Sequence, residues 1–288
     1  MHLLLIAALA LLIAGCGGEA SESGSSLVDP SNPPLINSLA LDPEGDALLL
    51  TTNRGFYRVE GEEATRVSAD VKTPDGSSPV GTFFAVAASE DGELIASGHP
   101  DEKRKLAPFL GLLRSADDGR SWEVVSRYGL ADLHVMRSAH GMLYAYDAVL
   151  PGVLVSPDGG KTWEEQGAPP DRVIDLVVDP DDPDHLLAST QNAIFRSTDR
   201  GETWSSAAAA AAARLDWAEP TALYRADKDG LVYVSDNHGG TWQQVGRIDG
   251  EPWKLAAEGP DELYAALSDA AVLRSSDGGQ SWEEEFTP

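Results

Sequence analysis

The sequence predicts an all-β protein made of six repeated antiparallel units. Three observations carry that expectation. An eight-residue pattern, S-x-D-x-G-x-T-W with close variants, occurs at residues 115–122, 156–163, 197–204, 235–242 and 275–282, and its serines are 41, 41, 38 and 40 residues apart. Recurrence at this period marks a repeat architecture in which each unit buries a face against its neighbours. Each copy also lies between apolar runs, such as Gly152-Val153-Leu154-Val155 before and Trp163-Glu164-Glu165 after, which reads as strand, tight turn, strand. Finally, six stretches with this strand order fill residues 35–288.

The chemistry of the box explains its residues. Asp117, Asp158, Asp199, Asn237 and Asp277 are placed to accept backbone N–H groups and hold each turn shut. The glycine two residues later supplies a positive φ without steric cost. The Ser and Thr hydroxyls bond locally, and Trp122, Trp163, Trp204, Trp242 and Trp282 bring large apolar faces to the returning strand. One carboxylate per turn is too few ligands for calcium, so these are structural positions. Residues and spacing resemble the Asp-box (BNR) repeat of sialidases, sortilin-type receptors and photosystem II assembly factors. The resemblance implies a β-propeller with its boxes on outer blade hairpins, away from the active face. With six units in the chain, a six-bladed β-propeller is expected over residues 35–288.

In chain order, residues 1–15 read as a lipoprotein signal peptide: an apolar run from Leu3 to Ala14, too short to span a bilayer, ends in small residues. Ile13-Ala14-Gly15-Cys16 resembles a bacterial lipobox, which implies a lipidated Cys16 as the mature N-terminus and an anchor on the extracytoplasmic face of the cell membrane. Two or more acyl chains, at ~0.8 kcal/mol per buried CH₂, anchor stably where one does not. Cys16 is the single cysteine, so the chain forms no internal disulfide. Residues 16–34 are rich in Gly, Ser, Glu and Pro and read as a disordered tether, about 25 Å in reach; Leu27-Val28 is a candidate extra strand for closing the ring.

Unit one opens with Asn37-Ser38-Leu39-Ala40-Leu41, turns through Asp42-Pro43-Glu44-Gly45-Asp46, and continues with Ala47-Leu48-Leu49-Leu50 and Gly55-Phe56-Tyr57-Arg58-Val59. Its box is replaced by Glu60-Gly61-Glu62-Glu63-Ala64. The following units are expected at about 82–126, 132–167, 172–206, 213–246 and 252–286. The alanine run 207–213 reads as compositional drift, and the acidic stretch 179–184 as a solvated turn.

The formal net charge is −26. From residue 35 on there are 44 acids against 21 bases. That balance excludes nucleic acid as a natural partner and disfavours anionic lipid surfaces and sialic acid. It suits a soluble, monomeric surface module.

Strand order separates two faces. First-to-second turns and boxes share one face; second-to-third loops and inter-unit connections share the other, which by analogy with other propellers is the binding face. Among the histidines, His140, His185 and His238 fall on the box face, and His99 and His134 on the loop face. His99, Asp101, Asp132, His134, Tyr144, Tyr146 and Asp147 form the candidate ligand-binding set there, under the long 99–111 loop. Three roles stay open. His99, His134 and Asp132 have the mixed N/O character of a divalent metal site. Asp132, His134, Asp147 and Tyr146 are candidates for acid–base work on a glycoside or ester. The same groups also suit a polar plug of the channel.

The segments Ser97-Gly98-His99-Pro100, Leu110-Gly111-Leu112-Leu113-Arg114-Ser115 and Ala131-Asp132-Leu133-His134 resemble bacterial Asp-box lipoproteins labelled glycosyl hydrolases. That family tends to carry a His-x-His in the first inner strand, where this chain has Leu35 and Asn37. A sialidase needs a convergent arginine triad; Arg58, Arg114, Arg196 and Arg274 instead occupy one repeated third-strand position. There is no G-x-S-x-G, phosphate loop or zincin motif. The expected function is a membrane-anchored propeller that binds a glycan or protein, with a glycosyl hydrolase-like enzyme or a metal-dependent binder as alternatives.

Overall fold

The computed structural model describes residues 34–286 apart from Glu44, Asp46, Glu62 and Ala211. The signal peptide, Cys16 and Leu27-Val28 lie outside the described residues. The described chain is an all-β propeller.

Five units are four-stranded antiparallel blades whose strands pair in sequence order. Unit one has Ile36–Leu41, Leu48–Thr52, Gly55–Glu60 and Glu63–Val67; unit three has Leu133–Ala139, Met142–Asp147, Gly152–Ser156 and Glu164–Glu165. Unit four has Val173–Val178, Leu186–Thr190, Ile194–Ser197 and Ser205–Ala208. Unit five has Arg214–Glu219, Ala222–Ala226, Leu231–Ser235 and Gln243–Arg247, and unit six has Pro252–Ala257, Leu263–Leu267, Val272–Ser275 and Glu283–Phe286.

The described chain therefore has five such blades where the sequence predicts a six-bladed propeller, and unit two makes the difference. Its strands Asp70–Thr73, Gly76–Ala88, Leu94–Pro100, Leu112–Ser115 and Ser121–Ser126 close into a five-stranded barrel. The extra strand Asp70–Thr73 pairs antiparallel with Gly76–Ala88 and parallel with Ser121–Ser126, Val71 lying opposite Trp122. A tight turn makes this possible: Thr73 Oγ donates to Gly76 O (2.8 Å) and accepts Asp75 N–H (3.2 Å). The long strand must then press onto Leu94–Pro100. A Cβ on Gly98 would sit 2.0 Å from Thr82 O, so only glycine admits that approach.

Second strands are near-continuous apolar runs, and in Leu48–Thr52, Leu186–Thr190 and Leu263–Leu267 every residue is buried. A middle strand meets a neighbouring sheet on both faces, so neither face needs to be polar. The core is accordingly a set of seams between successive units. Leu49 and Phe56 of unit one pack with Phe83 and Trp122 of unit two. Ile95 and Leu112 of unit two pack with Leu133 and Leu143 of unit three. Tyr144 and Tyr146 of unit three pack with Leu176 and Leu186 of unit four. The ring closes by the same means: Ile36, Leu39, Leu50 and Tyr57 of unit one meet Ala256, Tyr264, Val272 and Phe286 of unit six. At roughly 1.5–3 kcal/mol per fully buried large side chain, this seam joins the first and last units, and among the described residues no strand is exchanged between them.

The boxes perform as their chemistry requires. In unit three, Asp158 Oδ1 accepts Ser156 Oγ–H (2.9 Å) and Thr162 N–H (2.8 Å), Oδ2 accepts Thr162 Oγ1–H (2.7 Å), and Gly160 N–H donates to Ser156 Oγ (2.8 Å). Asp117, Asp199 and Asp277 repeat this pattern. Asn237 does so through Oδ1 while its amide donates to Thr241 Oγ1 (2.9 Å). Trp122 is 1% exposed and its Nε1–H donates to Gly119 O of its own turn (2.8 Å), as Trp204 and Trp282 do to Gly201 O (3.0 Å) and Gly279 O (3.2 Å), whereas Trp163 donates to Ser126 Oγ of unit two (2.9 Å). The backbone and hydroxyl bonds of Thr162 hold the Asp158 carboxyl at about 2, and those of Ser281 hold Asp277 at about 2.

The alanine run 207–213 is not drift. Ala210 and Ala213 are buried with Val177, Leu187 and Leu215 in the seam between units four and five.

Candidate functional site

The first strands of the units line the central axis, and most begin with a register shift. The shifts lie between Ile36 and Ser38, Phe83 and Ala85, Leu133 and Val135, Val173 and Asp175, and Pro252 and Lys254. The residues skipped are Asn37, Phe84, His134, Ile174 and Trp253. A bulge breaks strict alternation and re-aims one side chain. Here it does so at the loop-face end of each of these strands, giving the channel mouth a ring of non-equivalent side chains. Neighbours in the ring touch: Asn37 Nδ2–H donates to Phe83 O (2.8 Å), and the Arg214 guanidinium lies 5.4 Å from the Trp253 ring centre.

His99 and His134 meet in this ring, as the strand order predicts, and Asp132 lies between them. His134 Nε2–H donates to Asp132 Oδ2 (2.9 Å). His99 Nε2 is 3.3 Å from Asp132 Oδ1 but off the hydrogen-bond axis, so both atoms are buried without a hydrogen bond among the described residues. Phe84 stacks on His134 with centroids 4.6 Å apart and meets His99 edge-on at 4.7 Å; Phe109, from the long loop, covers His99 at 5.4 Å. Burial pushes the Asp132 carboxyl up, but the His134 and His99 imidazoles outweigh it and hold the group far below the usual carboxylate range. Asp132 is therefore a committed anion.

The remaining predicted residues do not join the cluster. Asp147 is 2% exposed, and its Oδ1 accepts the N–H groups of Asp132 (3.2 Å) and Val149 (2.9 Å); it shapes the loop. Asp101 Oδ1 accepts Lys103 N–H (2.8 Å) and organises the start of the long loop. Tyr144 is fully buried and its hydroxyl donates to Pro183 O (3.0 Å) in the box-face turn of unit four. Tyr146 is 3% exposed in the same seam. Both tyrosines sit on a middle strand, where each face of the sheet is core. The repeated arginines do not converge either. Arg114 donates to Glu93 (2.8 Å) and to Gly159 O in the next box (3.2 Å), and Arg196 to His238 O (3.0 Å). Arg58 pairs with Asp42 and Glu60, and Arg274 with Glu262.

His99 and His134 each bring Nε2 to one oxygen of Asp132, at 3.3 and 2.9 Å. Among the described residues, the trio whose ligand atoms all lie within 4.8 Å of one another is Asp179, His185 and His238, on the box face. Asp179 is 1% exposed, so the stretch 179–184 is not simply a solvated turn.

Deeper in the channel lies a charged group that sequence reading missed. Arg137 donates to Asp175 Oδ1 (2.9 Å) and lies 3.9 Å from Asp216 Oδ1. Asp175 Oδ2 accepts Leu215 N–H of the next unit (3.1 Å), and Asp216 Oδ2 accepts Ala257 N–H (2.6 Å). These carboxylates stitch first strands whose backbones do not pair. Desolvation raises Asp216 to about 6 and lowers Lys254 to about 8, although 22% of the Asp216 side-chain surface still faces the lumen. Aligning the inner strands brings out the signal, since Asp175 and Asp216 both stand two residues after the strand start.

Residues 195–206 match the family model of the BNR/Asp-box repeat. Over 144 residues the chain is 29% identical to the xyloglucanase Xgh74A of Acetivibrio thermocellus, covering 46% of this chain and 16% of that protein. It is 31% identical to a xyloglucanase of a Paenibacillus species, covering 45% and 13%. The matched stretch is thus less than a fifth of either relative. Among solved structures, the GH74 xyloglucanase of Xanthomonas campestris superposes with a TM-score of 0.57 at 19% identity, over 87% of this chain and 38% of that one. A structure of YCF48 bound to D1 peptide gives 0.56 at 18%, over 84% and 78%. The gluconolactonase XC5397 of Xanthomonas campestris gives 0.61 at 13%, over 84% and 86%. These structural likenesses establish the propeller fold.

Proposed function

We propose that this propeller, carried at the cell surface on a lipid anchor at Cys16, binds a partner protein through the loop face around His99, Asp132 and His134. The observation that carries the reading is the placement of exposed apolar side chains. Leu35, Leu130, Val149 and Leu150 are the large hydrophobic residues exposed among those described. Leu35 stands two residues before Asn37 of the mouth ring, Leu130 two before Asp132, and Val149 and Leu150 follow Asp147. Scattered exposed leucines need no explanation, but a set confined to one rim does. Beside them the long loop presents Lys103, Arg104 and Lys105, all exposed, in an otherwise acidic chain. Apolar anchors next to a basic strip complement an extended segment with acidic residues flanking leucine-like ones. The Asp132 carboxyl is driven below its ordinary range, which suits an anionic contact and not the proton-donating acid of a glycosidase, whose pKa is raised.

Peptide display against the full chain tests the reading. Acidic–apolar sequences should be enriched, and Leu150→Glu or Lys103→Glu should weaken them at least tenfold. Enrichment indifferent to both variants would overturn it.

A second reading rests on the sequence likeness to xyloglucanases over nearly half the chain: the mouth ring, with Trp253 and Phe84, holds a β-glucan. Retention on xyloglucan resin, lost in Trp253→Ala, or turnover of its oligosaccharides, lost in Asp132→Asn, would replace the protein-partner reading.

A further inference from the structure

We infer that Asp179, His185 and His238 form a transition-metal site at the seam between units four and five, on the face opposite the proposed partner surface. The residues come from two elements. Asp179 and His185 bracket the first-to-second turn of unit four, and His238 stands in the box of unit five. The turn is pinned from within, since Asp179 N–H donates to His185 O (3.0 Å) and His185 N–H to Asp182 O (3.1 Å).

The carboxylate is already oriented for one-atom ligation. Asp179 Oδ1 is occupied by Asp181 N–H (2.9 Å). Its Oδ2 faces Nδ1 of His185 at 2.8 Å and Nδ1 of His238 at 2.5 Å. One carboxylate oxygen and two imidazole nitrogens are the mixed donor set that zinc, nickel or cobalt take. With metal–ligand arms of about 2.0–2.1 Å, tetrahedral donors lie roughly 3.3 Å apart. Side-chain shifts of under about 1 Å therefore convert the present contacts into that arrangement.

The surroundings fit a site with an open position. Asp179 and His185 side chains are 1% and 11% exposed, whereas that of His238 is 44% exposed, so solvent reaches the cluster from one side. A cavity of about 330 Å³, lined by His140, Pro180 and Trp217 among others, adjoins it. Three protein donors plus an accessible fourth position is the pattern of an exchangeable rather than a purely structural site. Outer contacts hold the donors: His140 Nε2–H donates to Asp179 O (2.8 Å), and the Trp217 ring abuts both His185 (5.3 Å) and His238 (5.8 Å). His185 Nε2 is buried with no hydrogen-bond partner among the described residues. Nothing on that edge fixes the tautomer, which leaves Nδ1 able to give up its proton to the other nitrogen and offer its lone pair.

The backbone supplies a control substitution. His238 has φ = +56°, and the equivalent box positions hold Asp118 and Arg200 at +58° and +57° in units two and four and Gly159 and Gly278 at +71° and +72° in units three and six. The turn therefore accepts glycine or a side chain, and in unit five the side chain is an imidazole whose Nδ1 faces Asp179 Oδ2.

That equivalence supplies the test. The full chain is stripped with chelator and titrated with Zn²⁺ and Ni²⁺ by calorimetry, with metal content measured after dialysis. One equivalent should be retained and the melting temperature should rise with metal. His238→Gly, which installs the residue of the sister boxes, should fold like the parent and lose at least tenfold in affinity together with the metal-dependent rise. His99→Ala, on the other face, should keep both. Equal binding by parent and His238→Gly, loss in His99→Ala instead, or failure of the parent to retain one equivalent would overturn the assignment.

Discussion

The Asp132 carboxylate is held by His134, whose Nε2–H reaches Oδ2 at 2.9 Å, in a wall where burial alone would favour the neutral acid. Asp132→Asn should therefore be destabilising, by about 1–3 kcal/mol, because a buried charge-assisted hydrogen bond is lost and the imidazoles keep their desolvation cost. The carboxyl is depressed in the folded state, so its contribution is complete above the ordinary carboxylate range and fades as pH falls below it. Urea unfolding at pH 7 and pH 3 checks this: the gap between parent and variant should narrow in acid.

Asp216 behaves in the opposite sense. Its folded-state value of about 6 lies above the ordinary 3.8, so the folded state binds its proton more tightly. Stability from this group is highest below pH 4 and is lost as pH rises through 6. Asp216→Asn keeps an oxygen for Ala257 N–H and removes the buried charge. It should raise stability at pH 8 by on the order of 1–3 kcal/mol and flatten the pH 4–6 region of the profile, measured by denaturant melts across pH.

The boxes make a third expectation. Asn237 shows that an amide satisfies the same turn. Asp158→Asn should leave the melting temperature nearly unchanged at pH 7, whereas Asp158→Ala should lower it. The Asp158 and Asp277 carboxyls are depressed to about 2, so their share of stability is present above about pH 4 and disappears as pH falls toward 2. Calorimetric scans from pH 5 to pH 2 should show a shallower loss in Asp158→Asn.

Tyr144→Phe separates core from site. Removing the hydroxyl that donates to Pro183 O (3.0 Å) should cost about 0.5–1.5 kcal/mol without altering any peptide selected on the loop face. A change in peptide affinity would place Tyr144 back among binding residues.

The anchor is tested apart from the fold. Cys16→Ser should move the protein from the membrane fraction to the soluble one, with the propeller's melting temperature unchanged. Retention on membranes after that change would remove the lipid from the proposed function.

Much of this architecture was legible because it repeats. Ser, Asp, Gly and Trp at set positions dictate a hairpin, and their period dictates a ring of sheets. The meeting of His99 and His134 followed from strand order alone, since both stand at the same end of neighbouring units. Tyr144 and Tyr146 were placed by their position along the second strand, and the burial of that strand on both faces is not legible from position alone. The barrel of unit two was hidden because Asp70–Thr73 is polar and short, and its parallel partner lies some fifty residues away. The trio at Asp179 was hidden by its own acidity: a run of aspartates reads as solvated, and only tertiary packing reveals that its first member is covered.

The missing box of unit one leaves a mark on the whole ring. Where the next box receives Arg114 and Arg196, Arg274 of unit six finds no such hairpin and turns to Glu262, and a cavity of about 600 Å³ opens between Arg58, Glu60, Tyr264, Arg274 and Glu285. The boundaries of units two with three and four with five carry this peripheral clasp, and the junction of units six and one does not. Under mechanical load or rising denaturant the annulus should part first along the junction of its own beginning and end, peeling open as a strip while the other interfaces still hold. Hydrogen exchange at Gly55–Glu60 and Val272–Ser275, faster than at the matching strands elsewhere, would be the trace of that breach.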